Sequence, residues 1–170
     1  MSNVTKSNLH ECISIVNHLS KNSNYDTEKL SYSLLNQLKQ LDFFYCKISK
    51  NNNVPRSKIK KRPRQGMIAY FNLGRGFPME LMDGHWCYIL KDFGSKVMVI
   101  PCTSIKNKEA TFFEMDIQNY NKNEERFSRL QFTDIRTIDI LRIDKRKDFY
   151  YVSDENKLKI KRFINEKINN

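Results

Sequence analysis

Residues 56–64 read Arg56-Ser57-Lys58-Ile59-Lys60-Lys61-Arg62-Pro63-Arg64, six cations in nine positions with no acid, directly after Asn51-Asn52-Asn53-Val54-Pro55. Like charges repel into an extended chain and proline stops helices, so no periodic element can run through this segment. The fold must therefore be built separately from the residues on either side, and the hydrophobic period differs between them.

On the N-terminal side the period is helical. Ile13, Val16 and Leu19 share one side of a helix expected over residues 9–19. Leu30, Leu34, Leu38 and Leu41 recur at steps of three and four over residues 27–45, with Asp26 or Thr27 placed to cap the free amides. These two segments predict a helical hairpin whose leucine stripe needs a partner surface.

From Gln65 onward short runs rich in aromatic and β-branched residues take over, at 67–73, 86–91 and 96–101. Asp92-Phe93-Gly94-Ser95 between the last two supplies a hairpin turn, and the segments 112–117, 128–132 and 135–143 continue the strands or lead to a short helix. Ser153, followed by Asp154 and Glu155, opens a final helix with Ile160, Phe163, Ile164 and Ile168 toward the core. The expectation is an α+β chain: a helical extension (1–55), a basic linker (56–64) and a small β-barrel with a C-terminal helix (65–170).

The net charge of +11 favours an anionic partner, and nucleic acid is the natural one. Its distribution tempers that inference, since residues 1–55 carry +2, residues 56–64 carry +6 and residues 65–170 carry +3. The basic run is therefore either a tether for an RNA backbone or a solvated linker. No apolar run approaches the roughly 18 residues of a membrane span and no secretory pattern opens the chain, so a cytoplasmic protein with no membrane association is expected. Cys12, Cys46, Cys87 and Cys102 form no CxxC pair, which makes zinc and disulfides improbable; no metal and no cofactor are expected.

Three segments occur in a suggestive order: Met67-Ile68-Ala69-Tyr70-Phe71-Asn72-Leu73-Gly74, Pro101-Cys102-Thr103-Ser104 and Ile135-Arg136-Thr137-Ile138-Asp139. In sequence and spacing they resemble the PemK/MazF toxins, compact ribonucleases of bacterial toxin-antitoxin systems. The resemblance covers about residues 64–170 and implies an SH3-like, MazF-like barrel. It implies a homodimer that cuts single-stranded RNA, including mRNA, without metal and leaves a cyclic phosphate. A cognate antitoxin protein would occupy the RNA groove. The first 60 residues have no counterpart in minimal members of that family.

Metal-free RNA cleavage needs a base for the ribose 2′-hydroxyl, an acid for the leaving 5′ oxygen and donors to the phosphate. His85 is the only histidine after the linker, and Gly84 gives the backbone freedom to present it at a strand start. Family members carry a loop glutamate followed five residues later by Arg-Pro; here Glu80 and His85-Trp86 keep the spacing but replace the arginine. Either His85 is accordingly expected to take the acid/base role, or Arg75 of the same loop is expected to supply the positive charge. Thr103 matches the family's strand-end hydroxyl, with Ser104 as a neighbouring donor. Phe77 and Trp86 are candidates for stacking on bases, and Lys106, Glu80 and Arg136 complete the expected RNA-contacting set.

Each assignment has a plainer counterpart. His85 would otherwise be a strand-end histidine, Thr103 a turn cap, and Arg136 a partner for Asp139 across a turn while Ile138 packs. The arginine and aspartate that some family members place shortly before the Arg-Thr-Ile-Asp segment are replaced here by Gln131 and Thr133. Cys87 beside His85 offers a nucleophilic thiol as a further possibility. The alternative functions are a non-catalytic RNA-binding module of the same fold and a toxin that grips a protein such as DNA gyrase.

Overall fold

The computed structural model describes residues 2–48, 61–106 and 109–168. Helices α1 (Asn3–Asn22) and α2 (Thr27–Asp42) open the chain, and α2 passes into a π-helical segment over Phe43–Ile48. The Ser2 hydroxyl caps α1 by accepting the Thr5 amide, and the Asp26 carboxylate caps α2 by accepting the Lys29 amide at 2.8 Å. Both side chains satisfy amides that have no carbonyl partner within the first turn.

Seven strands follow: β1 (Met67–Asn72), β2 (Gly84–Asp92), β3 (Lys96–Thr103), β4 (Glu114–Tyr120), β5 (Glu125–Gln131), β6 (Arg136–Asp139) and β7 (Tyr150–Val152), before helix α3 (Asp154–Lys167). All pair antiparallel in the order β2-β1-β7-β4-β5-β3, and β2 also pairs with β3, which closes a six-stranded barrel; β6 pairs with the first half of β3, on the edge whose far end pairs with β5. The protein is thus α+β, a closed antiparallel barrel with helices. Closure depends on β7, only three residues long, which bridges β1 through Ile68↔Tyr150 and β4 through Asn119↔Val152.

Alternation along the strands produces two buried layers, one on each face of β1, β2 and β3. Ile68, Tyr88, Ile100, Ile117, Leu130 and Val152, one from each barrel strand, form the inner layer, joined by Ile160, Phe163 and Ile164 of α3. Phe163 stacks on Phe132 at 4.2 Å. Ile168, expected to face the core, instead caps the C-terminus of α3 and is exposed. The outer layer holds Phe71, Cys87, Ile89, Val97 and Val99, covered by Ile138, Ile140 and Ile143.

The β2–β3 turn is built as its sequence suggests. Gly94 adopts φ +85°, where a side chain would be strained, and its amide donates to Asp92 Oδ1 at 2.8 Å. The β4–β5 turn has no glycine; Asn121 Oδ1 accepts the amides of Asn123 and Glu124 at 2.8 and 3.0 Å and so replaces the missing turn residue.

The described end of the basic run is fastened to the barrel. Lys61 pairs with Asp148 at 2.9 Å, Arg62 forks onto Asp92 and donates to the Gly94 carbonyl at 2.6 Å, and Pro63 is fully buried. Residues 49–60, which hold the asparagine connector and the start of the run, lie outside the described residues.

Helix α2 meets the barrel with its polar side. Ser33 is buried, Gln40 Oε1 accepts from Asn72 Nδ2 at 3.4 Å, and the Asp26 carbonyl accepts from Arg75 at 3.4 Å. Leu34, Leu38 and Leu41 of the expected stripe are exposed, because the barrel rim facing α2 presents hydrogen-bonding groups rather than an apolar surface. Among the described residues no helix is long and apolar enough to cross a membrane.

Candidate functional site

The loop between β1 and β2 leaves and re-enters the barrel through two short hydrogen bonds, Leu73 N to Asp83 O and Asp83 N to Gly74 O, each 2.7 Å. Asp83 sits at φ +66°, a conformation that Asp tolerates better than most residues, and this turn sets the start of β2. Gly84 comes next. A Cβ there would collide with the Tyr70 ring, so the close approach admits only glycine, and His85 follows directly.

His85 is half-buried on the outer face of β2, on the same side as Cys87 and Ile89. Its Nδ1 lies 3.3 Å from the Cys102 carbonyl. A carbonyl can only accept, so this hydrogen bond requires the proton on Nδ1; in the neutral imidazole Nε2 then carries the lone pair. The register brings Trp86 opposite Cys102, which puts His85 opposite Thr103 one step further along the same two strands.

Thr103 belongs to a polar patch that crosses the outer face of β3, β5 and β4. Gln131 Nε2 donates to Thr103 Oγ1 at 3.2 Å and to Glu114 Oε1 at 2.7 Å. Arg129, the cross-strand partner of Thr103, grips Asp116 with two hydrogen bonds of 2.6 and 2.8 Å and lies 3.8 Å from Glu114. Because Gln131 occupies the Thr103 oxygen as a donor, the hydroxyl's own proton is left to point elsewhere. Glu114, Arg129 and Asp116 do not stand out in the sequence as site residues, and Gln131 does so only as a replacement of a residue the resemblance would place there. The signal that could have found them is the alternation Glu114, Asp116 on one strand against Arg129, Gln131 on the next, which places opposite charges in register.

Glu114 is held below its ordinary carboxyl value of 4.5, first by the Thr111 amide and then by Gln131. A depressed folded-state value means that the charged form stabilises the patch above the ordinary value and that the contribution is lost as pH falls through the lowered one. Urea midpoints should therefore hold from pH 7 to 5 and fall at more acidic pH, and Glu114→Gln should shrink that fall; an unchanged acid profile would remove Glu114 from the account.

The remaining candidates sit elsewhere or are already engaged. Arg75 forms a 2.5 Å ion pair with Asp83, and its guanidinium lies over the Tyr25 ring at 5.6 Å. Glu80 Oε2 accepts the Phe77 amide at 3.2 Å, which shapes its own loop, and Phe77 is exposed there. Arg136 pairs at 2.9 Å with Asp134 rather than with Asp139, and Asp134 also accepts the Leu81 amide at 3.0 Å; Asp139 caps the turn at Leu141. Arg136 thus anchors the β1–β2 loop indirectly while Ile138 packs in the outer layer.

Trp86 points to the inner face of β2, opposite to His85, where it meets Tyr70 and Tyr150 edge-on at 5.2 and 4.9 Å beneath the Arg126 guanidinium. Ser104 and Lys106 are exposed in the loop after β3. Burial pushes the Cys87 thiol well above its ordinary value and that of Cys102 up to about 12, so neither is a thiolate at neutral pH. Among the described residues no group of three or more His, Cys, Asp or Glu side chains is arranged to hold a metal ion.

No protein-family model matches the chain, and no curated protein matches it.

Proposed function

We propose that the chain is a metal-independent endoribonuclease toxin, an mRNA interferase that cuts single-stranded RNA. The observation that carries this reading is the Nδ1 contact of His85 with the Cys102 carbonyl, which in the neutral imidazole leaves Nε2 as the basic nitrogen, on the strand face shared with Thr103. In the proposed step Nε2 takes the proton of a ribose 2′-hydroxyl and the 2′ oxygen bonds to phosphorus. The bond to the 5′ oxygen breaks, that oxygen takes up a proton from solvent water, and a cyclic phosphate is left. The Thr103 hydroxyl, its oxygen already accepting from Gln131, donates to a non-bridging phosphate oxygen. Exposed Lys106 and Ser104 lie on the loop that leaves this strand end.

In this reading the barrel is of the SH3-like, MazF-like kind, as the three sequence segments suggest. The proposal extends to a cytoplasmic homodimer neutralised by an antitoxin protein.

One observation favours a second reading, a non-catalytic RNA-binding module. Arg129 in the patch beside Thr103, and Arg75 and Arg136 of the expected site set, are each committed to a carboxylate. Purified protein incubated with a long single-stranded RNA in excess EDTA decides between the two. Discrete fragments with cyclic phosphate ends support the ribonuclease; retention of intact RNA in a gel shift supports the binding module.

A further inference from the structure

A hollow lies between α2 and the barrel, on the side of β1 and β2 that carries Tyr70 and Gly84 rather than the one that carries His85. Its volume is about 1010 Å³. Drug-sized ligands occupy pockets of roughly 300 to 1,000 Å³, so this one is at the size of a short chain segment rather than a single small molecule. One wall is α2 with Phe43 and Phe44, the floor includes Tyr70 and Asn72, and the other wall is the segment Leu141 to Lys147.

Its lining is strongly cationic, with six basic and two acidic side chains. Both acids are already matched. Asp83 is held by Arg75, and Asp144 by the Arg146 guanidinium at 2.7 and 2.9 Å, which keeps the Asp144 carboxyl below its ordinary range. Lys29, Lys39 and Lys145 are exposed and have no carboxylate partner among the described residues. Lys147 lies over the Tyr70 ring at 5.9 Å, and Arg142 donates to the carbonyls of Asn72 and Leu73, which leaves its charge uncompensated. Aromatic faces stand among these cations: Tyr32 is 60% and Phe43 50% exposed, an arrangement that the core does not require.

We propose that this cleft binds single-stranded nucleic acid, phosphates on the lysines and unpaired bases on Tyr32 and Phe43. A duplex keeps its base faces stacked inward and would use only the charges, and an acidic peptide would likewise leave the aromatics idle. The inference goes beyond the proposed cleavage chemistry, because it needs neither His85 nor Thr103. The helical extension thereby acquires a role, since α2 supplies Lys29, Lys39, Tyr32 and half of the trench.

The test uses the full chain and a fluorescent 2′-O-methyl RNA of about 12 nucleotides, a length within the usual single-strand site sizes and resistant to 2′-hydroxyl attack. Lys39→Glu/Lys145→Glu and Tyr32→Ala/Phe43→Ala alter exposed groups only, and thermal melts confirm that each variant folds. Each is expected to bind the probe at least about tenfold more weakly than wild type. The charge-reversed variant should also flatten the slope of log K against log salt by about 0.7 for each lost phosphate contact.

Wild-type affinity in both variants overturns the proposal, as does equal binding of the duplex form or of polyglutamate by the wild-type protein. Cleavage by wild type with unaltered probe binding in the variants would remove the cleft and leave the ribonuclease standing. Cleft-dependent binding without cleavage would do the reverse.

Discussion

His85→Ala is expected to lower the rate of RNA cleavage by about 10²- to 10⁴-fold, the usual worth of one positioned acid/base group, while leaving the thermal midpoint close to wild type. The stability half of the forecast follows from its surroundings. The imidazole is half-buried and makes a single long contact, 3.3 Å to a backbone carbonyl, so its removal opens no large cavity. The kinetic half follows from the tautomer, since the deleted Nε2 is the base to which the proposed step assigns the 2′-hydroxyl proton. Single-turnover cleavage of a labelled RNA, with circular dichroism melts in parallel, measures both. Retained cleavage with a normal melt would disqualify His85, and with it the proposed mechanism. Thr103→Val, nearly isosteric, should cost less, because it deletes one donor to the phosphate and leaves the base in place.

The largest effect on stability is expected from Phe71→Ala. Phe71 is fully buried in the outer layer, pairs with His85 on β2 and bridges to Ile143 on the far side. Truncating a buried phenylalanine typically costs about 3–5 kcal/mol, from lost transfer energy and from the void left behind. Domains of this size are stable by only about 5–15 kcal/mol, so the substitution should lower the thermal midpoint by roughly 10 °C or more. Urea denaturation read by tryptophan fluorescence is a suitable probe, because Trp86 sits on the opposite, inner face of the neighbouring strand. A loss below about 1 kcal/mol would mean that the two layers are not cooperatively joined through β1, β2 and β3.

What the sequence revealed and what it concealed divide along physical lines. The helices, the first three strands and the Asp92–Gly94 turn were legible because period, cap and glycine all agreed locally. Strand β7 was not. Three residues are too few to show an alternation, and Tyr150–Val152 acquires its identity only from its two neighbours in the closed barrel. The β4–β5 hairpin was half-legible, since its turn relies on the Asn121 side chain in place of a glycine.

The same holds for the site. The family resemblance drew His85 and Thr103 from two separate segments into one expected site, but side-chain commitments are tertiary facts. That Arg75 would spend its charge on Asp83 and Arg136 on Asp134 depends on loop geometry that no spacing encodes. The leucines of α2 misled in a related way, because periodicity identifies an apolar stripe without saying that the barrel will prefer the polar one.

That polar seam has a thermodynamic corollary. Hydrogen bonds such as Gln40–Asn72 replace water contacts at little net gain, roughly 0.5–1.5 kcal/mol each, so the joint between helix and barrel draws only modest strength from within. A strand lodged across it would act as mortar. At a hundredfold excess over its dissociation constant a ligand adds about 2.7 kcal/mol to whatever form it binds, comparable to two or more such hydrogen bonds together. Thermal midpoints measured with and without saturating single-stranded RNA should then report occupancy of the trench.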